Sequence, residues 1–112
     1  MIVEDVMVPK PFTIKKDKSL HDAQNKMVKQ SIRHLPVVEK GKLIGIITES
    51  DIRGAFINKK PNGKLERDPA KMKIENFMTQ DPMTVSKETN IEDAALTIYQ
   101  YKIGALPVLD NG

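Results

Sequence analysis

A mixed α/β (α+β) fold made of two copies of one β-α-β-β-α unit is predicted by three observations. The first is a long internal repeat: residues 3 to 41 align without a gap on residues 74 to 112 at an offset of 71, and twelve of these 39 positions are identical. The second is a capped amphipathic helix at the same place in each copy. The third is a strand, turn, strand and helix run between Leu35 and Phe56. Two copies of so long a period do not make a solenoid; they suit a pseudo-two-fold pair sharing one core, which is also what 112 residues can bury. The expected organisation is a first repeat at 1–58, a basic linker at 59–73 and a second repeat at 74–112.

In the first copy Phe12-Thr13-Ile14 reads as a short strand. Ser19 with Asp22 three residues later reads as a capping box, opening a helix that runs to about Gln30. Its apolar positions Leu20, Ala23, Met27 and Val28 fall on one face at helical period and are assigned to the core. Val37 and Val38 lead into the turn Glu39-Lys40-Gly41-Lys42, and Leu43 to Ile47 is apolar and β-branched, as expected of a hairpin. Thr48-Glu49-Ser50-Asp51 then opens a second helix, and its first N–H groups are expected to point outward past a hydroxyl and a carboxylate. Such a junction suits a phosphorylated ligand.

The second copy repeats the cap with Asn90 and Asp93, the stripe with Ile91, Ala94, Ala95 and Ile98, and the strand with Leu106 to Leu109. Gly112 corresponds to Gly41, so the last strand and helix of the second repeat are absent, and an unpaired edge is expected beside Leu106 to Leu109. Either the chain is shortened there or a partner chain completes the sheet. In the first case, adding about 20 to 25 residues should raise stability.

Composition narrows the function classes. With no cysteine, disulfides and thiolate metal sites are excluded. The acidic start MIVEDVMVPK is unlike a signal peptide, and no apolar run approaches the roughly 18 to 20 residues of a membrane span, so a cytoplasmic location is expected. The net charge of +3 is concentrated in the linker, where Lys59, Lys60, Lys64, Arg67, Lys71 and Lys73 face only Glu66 and Asp68. Pro61-Asn62-Gly63 and Pro69 mark that stretch as a loop, and two Tyr, three Phe and no Trp offer little for base stacking. Nucleic-acid binding is therefore the weaker reading of the basic charge. No nucleophile with a base, paired-carboxylate cleft or metal cluster stands out. His21 and Asp22 diverge by about 100° around their helix, and neither G-x-G-x-x-G nor G-x-x-x-x-G-K-[ST] occurs. The methionines, Met7, Met27 and Met78 among them, read as core and interface filler.

The duplicated M-x-x-x-P-x-T-[IV], the capped helix, h-x-x-L-P-V-[VL] and the single G-I-I-T-E-S-D-I resemble the CBS domain pair, named after cystathionine β-synthase, over nearly the whole chain. The short lead and basic linker look most like the small stand-alone pairs of the acetoin-utilisation type. The resemblance implies a regulatory, non-catalytic module. Such a module binds an adenine nucleotide (AMP, ADP, ATP) or S-adenosylmethionine between paired repeats, requires no other cofactor, forms a homodimer and controls an enzyme or transporter. By position, Asp51 would hold the ribose with Thr48 near the phosphates. Ile32, Arg33, His34 and Pro36 would line the base side, and Thr13 and Ile14 would close the cleft. Arg53 and Lys102 are possible phosphate contacts. Thr84, Ile103, Gly104, Ala105 and Pro107 match the wall of a second site that lacks its T-x-x-D.

A carboxylate can accept two hydrogen bonds from a vicinal diol, which suits that role for Asp51. Each residue also has a plainer role. Thr48-x-x-Asp51 is an ordinary capping box. Arg33 and Arg53 can be exposed charges, His34 can be structural, and a lysine at a helix C-terminus such as Lys102 is favoured by the dipole. Three functions stay in contention: a nucleotide sensor, a ligand-free assembly module, and a nucleic-acid binder acting through the linker.

Overall fold

Around the hairpin, the first copy folds in the order its sequence predicts. The computed structural model describes residues 1–57 and 68–110, so the linker residues Lys59, Lys60, Lys64, Glu66 and Arg67, with Pro61-Asn62-Gly63, and the terminal Gly112 lie outside the described residues. β1 is Ile14–Lys15, α1 Leu20–Gln30, β2 His34–Glu39, β3 Lys42–Thr48 and α2 Glu49–Ile57. Lys40 and Gly41 join β2 to β3 with φ of 50° and 77°. Two successive positive values make the primed two-residue turn whose twist matches that of the strands, and Gly41 adopts it without a steric cost. β1 runs parallel to β2, β2 antiparallel to β3, and β4, Thr79–Gln80, adds antiparallel to β3.

The second copy supplies β5 (Val85–Ser86), α3 (Ile91–Tyr101) and β6 (Val108–Leu109), with β5 parallel to β6 as β1 is to β2. Two strands are shorter than expected. Phe12 and Thr13 fall outside β1, and the Thr13 carbonyl accepts from the Lys26 ammonium. Leu106 and Pro107 fall outside β6; the matching residues of β2 are held by the far end of β3, which has no counterpart among the described residues.

The chain forms two compact units, Phe12–Asp81 and Met1–Pro11 with Pro82–Gly112, so each repeat's lead belongs to the other repeat's unit. The bonds that hold the leads repeat at the offset of 71. Ile74 N–H donates to Lys18 O and Glu75 N–H to Lys16 O in one unit, while Val3 N–H donates to Thr89 O and Glu4 N–H to Lys87 O in the other. Likewise Leu20 N–H donates to Met72 O and Ile91 N–H to Met1 O. Short 3-10 turns at Val3–Asp5 and Ile74–Asn76 carry these contacts. Met72, the next-to-last residue of the expected linker, is buried.

Ion pairs follow the same exchange. Lys16 Nζ lies 3.1 Å from Glu39 and 3.9 Å from Glu75, and Lys87 Nζ lies 3.2 Å from Asp110 and 3.7 Å from Glu4. The hydrogen bond to Glu39 raises the Lys16 pKa above the ordinary lysine value, and that to Asp110 raises Lys87. A raised lysine pKa stabilises the fold in full below the unfolded-chain value of 10.5, and that contribution is lost as pH rises through the folded value. The stability gap between the native chain and Lys16→Met should therefore be constant from pH 7 to 9 and close on further alkaline titration. A gap unchanged well above pH 10.5 would argue against the pairing.

The core of the Phe12–Asp81 unit centres on Leu20, Leu35, Val37, Ile47 and Ile74, all at 0% exposure. The α1 stripe is narrower than expected: Leu20, Ala23 and Met27 are buried, but Val28 is 76% exposed. At the edge of the stripe, Val28 looks out over a cleft instead of inward. The α3 stripe is thinner still. Ala94 is buried, Ile91 is half-buried, Ala95 is exposed, and Ile98 is 38% exposed where its counterpart Met27 is 6%. Met27 has α2 beside it across that cleft, and no such helix follows α3 among the described residues. The methionines divide accordingly: Met27 and Met72 are buried, Met7 and Met78 half-buried, and Met1 and Met83 exposed.

α1 and α3 both end on a non-glycine residue in the left-handed region, Ser31 (φ 55°) and Lys102 (φ 53°). Ser31→Gly removes that strain and should stabilise the chain by about 0.5–1 kcal/mol in urea unfolding. A loss of stability would show that the Ser31 side chain has a role that outweighs it.

Candidate functional site

Side-chain alternation along the hairpin sorts the expected site residues into two groups. Residues paired across antiparallel strands share a face. Leu35 opposite Ile47, together with Val37, forms the buried face. His34 opposite Thr48 and Pro36 opposite Ile46 lie on the other face, all half-buried. Ile14 pairs with Val37 and is buried in the core, while Thr13 beside it is half-buried. His34, Pro36 and Thr48 are thus brought onto one surface, and Ile14 is turned away from it.

At the end of β3, Thr48 and Asp51 cap α2 reciprocally. Thr48 N–H donates to Asp51 Oδ2 at 2.9 Å, and Asp51 N–H donates to Thr48 Oγ1 at 3.1 Å. The Glu49 N–H, the first of the helix, donates to the Arg33 carbonyl at 2.9 Å. Two of the helix-opening N–H groups expected to face a ligand are therefore held internally. The first is held because the α1–β2 connection runs directly past the start of α2, and the second by the cap itself. What the junction still offers is the second oxygen of Asp51, with its own lone pairs, and the hydroxyl proton of Thr48. Both residues are half-buried, so each keeps some access to solvent.

Ile32, Arg33 and Arg53 lie elsewhere. They line a cleft of about 490 Å³ between the end of α1 and the flank of α2, with Gln24, Met27, Val28, Ser31, Glu49 and Ile52. Glu49, Ile52 and Arg53 share one flank of α2 at i, i+3 and i+4, whereas Asp51 falls on the opposite flank. Arg33 Nε is 3.5 Å from Glu49 Oε2, and Arg53 donates to Ser50 Oγ at 3.3 Å. Both guanidiniums thus have partners on α2.

In the other unit, Thr84 and Gly104 are exposed, and Ile103, Ala105 and Pro107 are half-buried. Pro107 O accepts from Val85 N–H at 3.1 Å. Lys102 is the exposed left-handed cap of α3. His21 is exposed and shares a 3.1 Å hydrogen bond with Asn25, not with Asp22. Three features were not anticipated from the sequence: the Lys26 bond to Thr13, the Arg33–Glu49 pair, and the lysine-centred ion pairs of the two leads. The last had a signal, because Lys16/Lys87, Glu4/Glu75 and Glu39/Asp110 all recur in charge at the offset of 71. Among the described residues no group of three or more His, Cys, Asp or Glu could hold a metal ion, and no helix is long and apolar enough to cross a membrane.

Known proteins are similar to this chain in sequence and in fold. The L-aspartate semialdehyde sulfurtransferase of Methanocaldococcus jannaschii is 32% identical over 111 residues, which is 98% of this chain but 20% of that enzyme. Among solved structures, the CBS domain pair of protein MJ0100, in complex with 5′-methylthioadenosine and S-adenosyl-L-methionine, is 31% identical with a TM-score of 0.84. That match covers 99% of this chain and 85% of that one. A Vibrio cholerae protein assigned to acetoin utilization is 28% identical with a TM-score of 0.83, covering 99% and 78%. CBSX2 in complex with AMP is 28% identical with a TM-score of 0.81, covering 98% and 82%. The model of the CBS domain itself matches residues 3–58 and again residues 74–112, so this chain belongs to the CBS domain family and carries the domain as a tandem pair.

Proposed function

We propose that this chain is a regulatory module, without a reaction of its own, that binds an adenosyl compound at the Thr48–Asp51 junction and passes the binding event to an attached or partner enzyme. The observation that carries this reading is the disposition of Asp51. One oxygen closes the capping box, and the other is left for the vicinal hydroxyls of a ribose, beside the half-buried surface of His34, Pro36 and Thr48. The adenosyl ligands of MJ0100 and CBSX2 support the ligand class. The sulfurtransferase, of which this chain matches 20%, supports an enzyme as the regulated partner. We also place the chain in a homodimer.

The internal use of the Glu49 and Asp51 N–H groups bears on which adenosyl compound is preferred. A phosphate gains most from unpaired N–H donors at a helix start, and here two of the first three, those of Glu49 and Asp51, are engaged. The ligand is accordingly read as one recognised through its nucleoside, with phosphates contributing little. The ligand must also bind one arrangement of the chain better than another, because only differential affinity shifts a conformational equilibrium.

The test is a thermal-shift panel with 5′-methylthioadenosine, S-adenosylmethionine, AMP and ATP. A ligand at about 100 times its Kd stabilises the folded state by about 2.7 kcal/mol. At least one adenosyl compound should raise the Tm, and Asp51→Ala should abolish that rise while lowering the ligand-free stability by about 1 kcal/mol through loss of the cap. No shift with any of the four compounds would leave an assembly module as the reading.

A further inference from the structure

The cleft between α1 and α2 sets two arginines over an apolar base, on the flank of α2 away from Asp51. Its walls are exposed ridges: Gln24, Val28 and Ser31 fall at i, i+4 and i+7 on and just after α1, and Glu49 and Arg53 at i and i+4 on α2. Its base is made by Met27 and Ile52, which are buried, and by half-buried Ile32. At about 490 Å³ the recess has the size of a small-molecule site, and an apolar lining with a few converging polar groups is the usual composition of one. All of it belongs to the single unit Phe12–Asp81.

Charge decides what fits. Two guanidiniums and one carboxylate, that of Glu49, leave one positive charge of the lining uncompensated. Arg33 is engaged through Nε and Arg53 through Nη2; a guanidinium carries five N–H donors, so each keeps donors for a ligand. The matching ligand is a single anion joined to an apolar body, since a bare phosphate would leave the base of the cleft in water. A planar ring suits that body, because the Met27 thioether and the flat guanidiniums both pack well against aromatic groups. The internal repeat separates these polar groups from what the fold requires. At the offset of 71 the base stays apolar, Met27 matching Ile98 and Ile32 matching Ile103, whereas Gln24 matches Ala95 and Arg33 matches Gly104. α3 has the same length as α1 and the same left-handed end without those two side chains, so local structure does not account for them.

We infer that the α1–α2 cleft is a second ligand site, for a small aromatic monoanion of the aryl carboxylate class, whose carboxylate is met by Arg33 and Arg53 and whose ring rests on Met27, Ile32 and Ile52. The site is separate from the Thr48–Asp51 junction and does not depend on an adenosyl compound binding there.

The experiment is an amide chemical-shift titration of the whole chain with naphthoate as the probe and naphthamide as an uncharged body of the same shape. Naphthoate should move the amides of Gln24, Ser31, Arg33 and Arg53, and naphthamide should bind about tenfold more weakly. Arg33→Gln and Arg53→Gln replace exposed side chains, so the fold is kept. Each should weaken naphthoate by about tenfold and leave naphthamide unchanged, which a purely structural role for the arginines would not produce. Equal affinity for the two probes, no binding of naphthoate, or naphthoate binding indifferent to both substitutions would overturn the site. Shifts centred on His34 and Thr48 would place the probe at the other junction and overturn it equally. A naphthoate affinity that falls as the protein concentration rises would show that a second copy fills the cleft, and would overturn the small anion as its occupant.

Discussion

Gly45→Val is expected to destabilise the chain more than any other single substitution in the hairpin, by about 3 kcal/mol or more, with Gly45→Ala at about 1–3 kcal/mol. Gly45 lies in the interior of β3, where a glycine ordinarily weakens a strand, so its presence calls for a physical cause. The cause is the close approach of β4. A Cβ at this position would stand 2.5 Å from Met78 Sδ and 2.8 Å from the Thr79 carbonyl oxygen. The methionine side chain can swing away, but the carbonyl belongs to the backbone that pairs with Gly45 through Gln80 and with Ile46 through Thr79. The experiment is urea unfolding of Gly45→Ala with and without Met78→Ala. Removing the sulfur should recover part of the loss, leaving the share due to the Thr79 carbonyl. Full recovery would mean that β4 is not held as tightly as the register implies. No loss in Gly45→Ala itself would mean that β4 leaves β3 freely.

The second large effect is expected from a residue that the repeat alignment assigns to the other half of the chain. Ile74 is fully buried in the cluster with Leu20, Leu35, Val37 and Ile47. Ile74→Ala should therefore cost about 2–5 kcal/mol, as any buried Ile truncation does. Amide hydrogen exchange decides where that loss falls. Protection should drop along α1 and the β2–β3 hairpin, because Ile74 N–H and Leu20 N–H close the same corner through Lys18 O and Met72 O. The mirror substitution Val3→Ala should instead loosen α3, where Met1 O receives Ile91 N–H. If Ile74→Ala loosened α3 first and left α1 protected, the exchange of leads would be wrong.

Much of the local structure was legible because its causes are local. The capping pairs Ser19/Asp22, Thr48/Asp51 and Asn90/Asp93 are short-range bonds between residues three apart, and all three caps form, the last with its side chain in one direction only. The Lys40-Gly41 turn was legible for the same reason. What escaped the sequence was decided by partners distant in the chain. Val28 has the spacing of a core residue, yet the breadth of a buried stripe is set by whichever element packs beside it. Gly45 looks like a gap in a strand until β4 arrives from residue 79 onward. The N–H groups of Glu49 and Asp51 were expected to await a ligand, but a carbonyl in the preceding connection and the cap itself already hold them. At the candidate site, then, residue types were readable, while the separation of Asp51 from the cleft lined by Arg33 and Arg53 depended on the helical phase of α2.

Exchange of the leads also sets an order in time. Phe12–Asp81 is one continuous stretch, so it can close as soon as its last strand leaves the ribosome. Residues 1–11 are made earlier, yet the groups they bind, Lys87 O, Thr89 O and Ile91 N–H, are among the later parts of the chain to appear. At roughly 5–20 residues per second, Ile2, Val3 and Met7, which end buried or half-buried, spend several seconds in water after synthesis before a docking surface exists. Residues made well before their partners are thus buried late, and during that interval this apolar segment is open to capture by a chaperone or by a neighbouring chain.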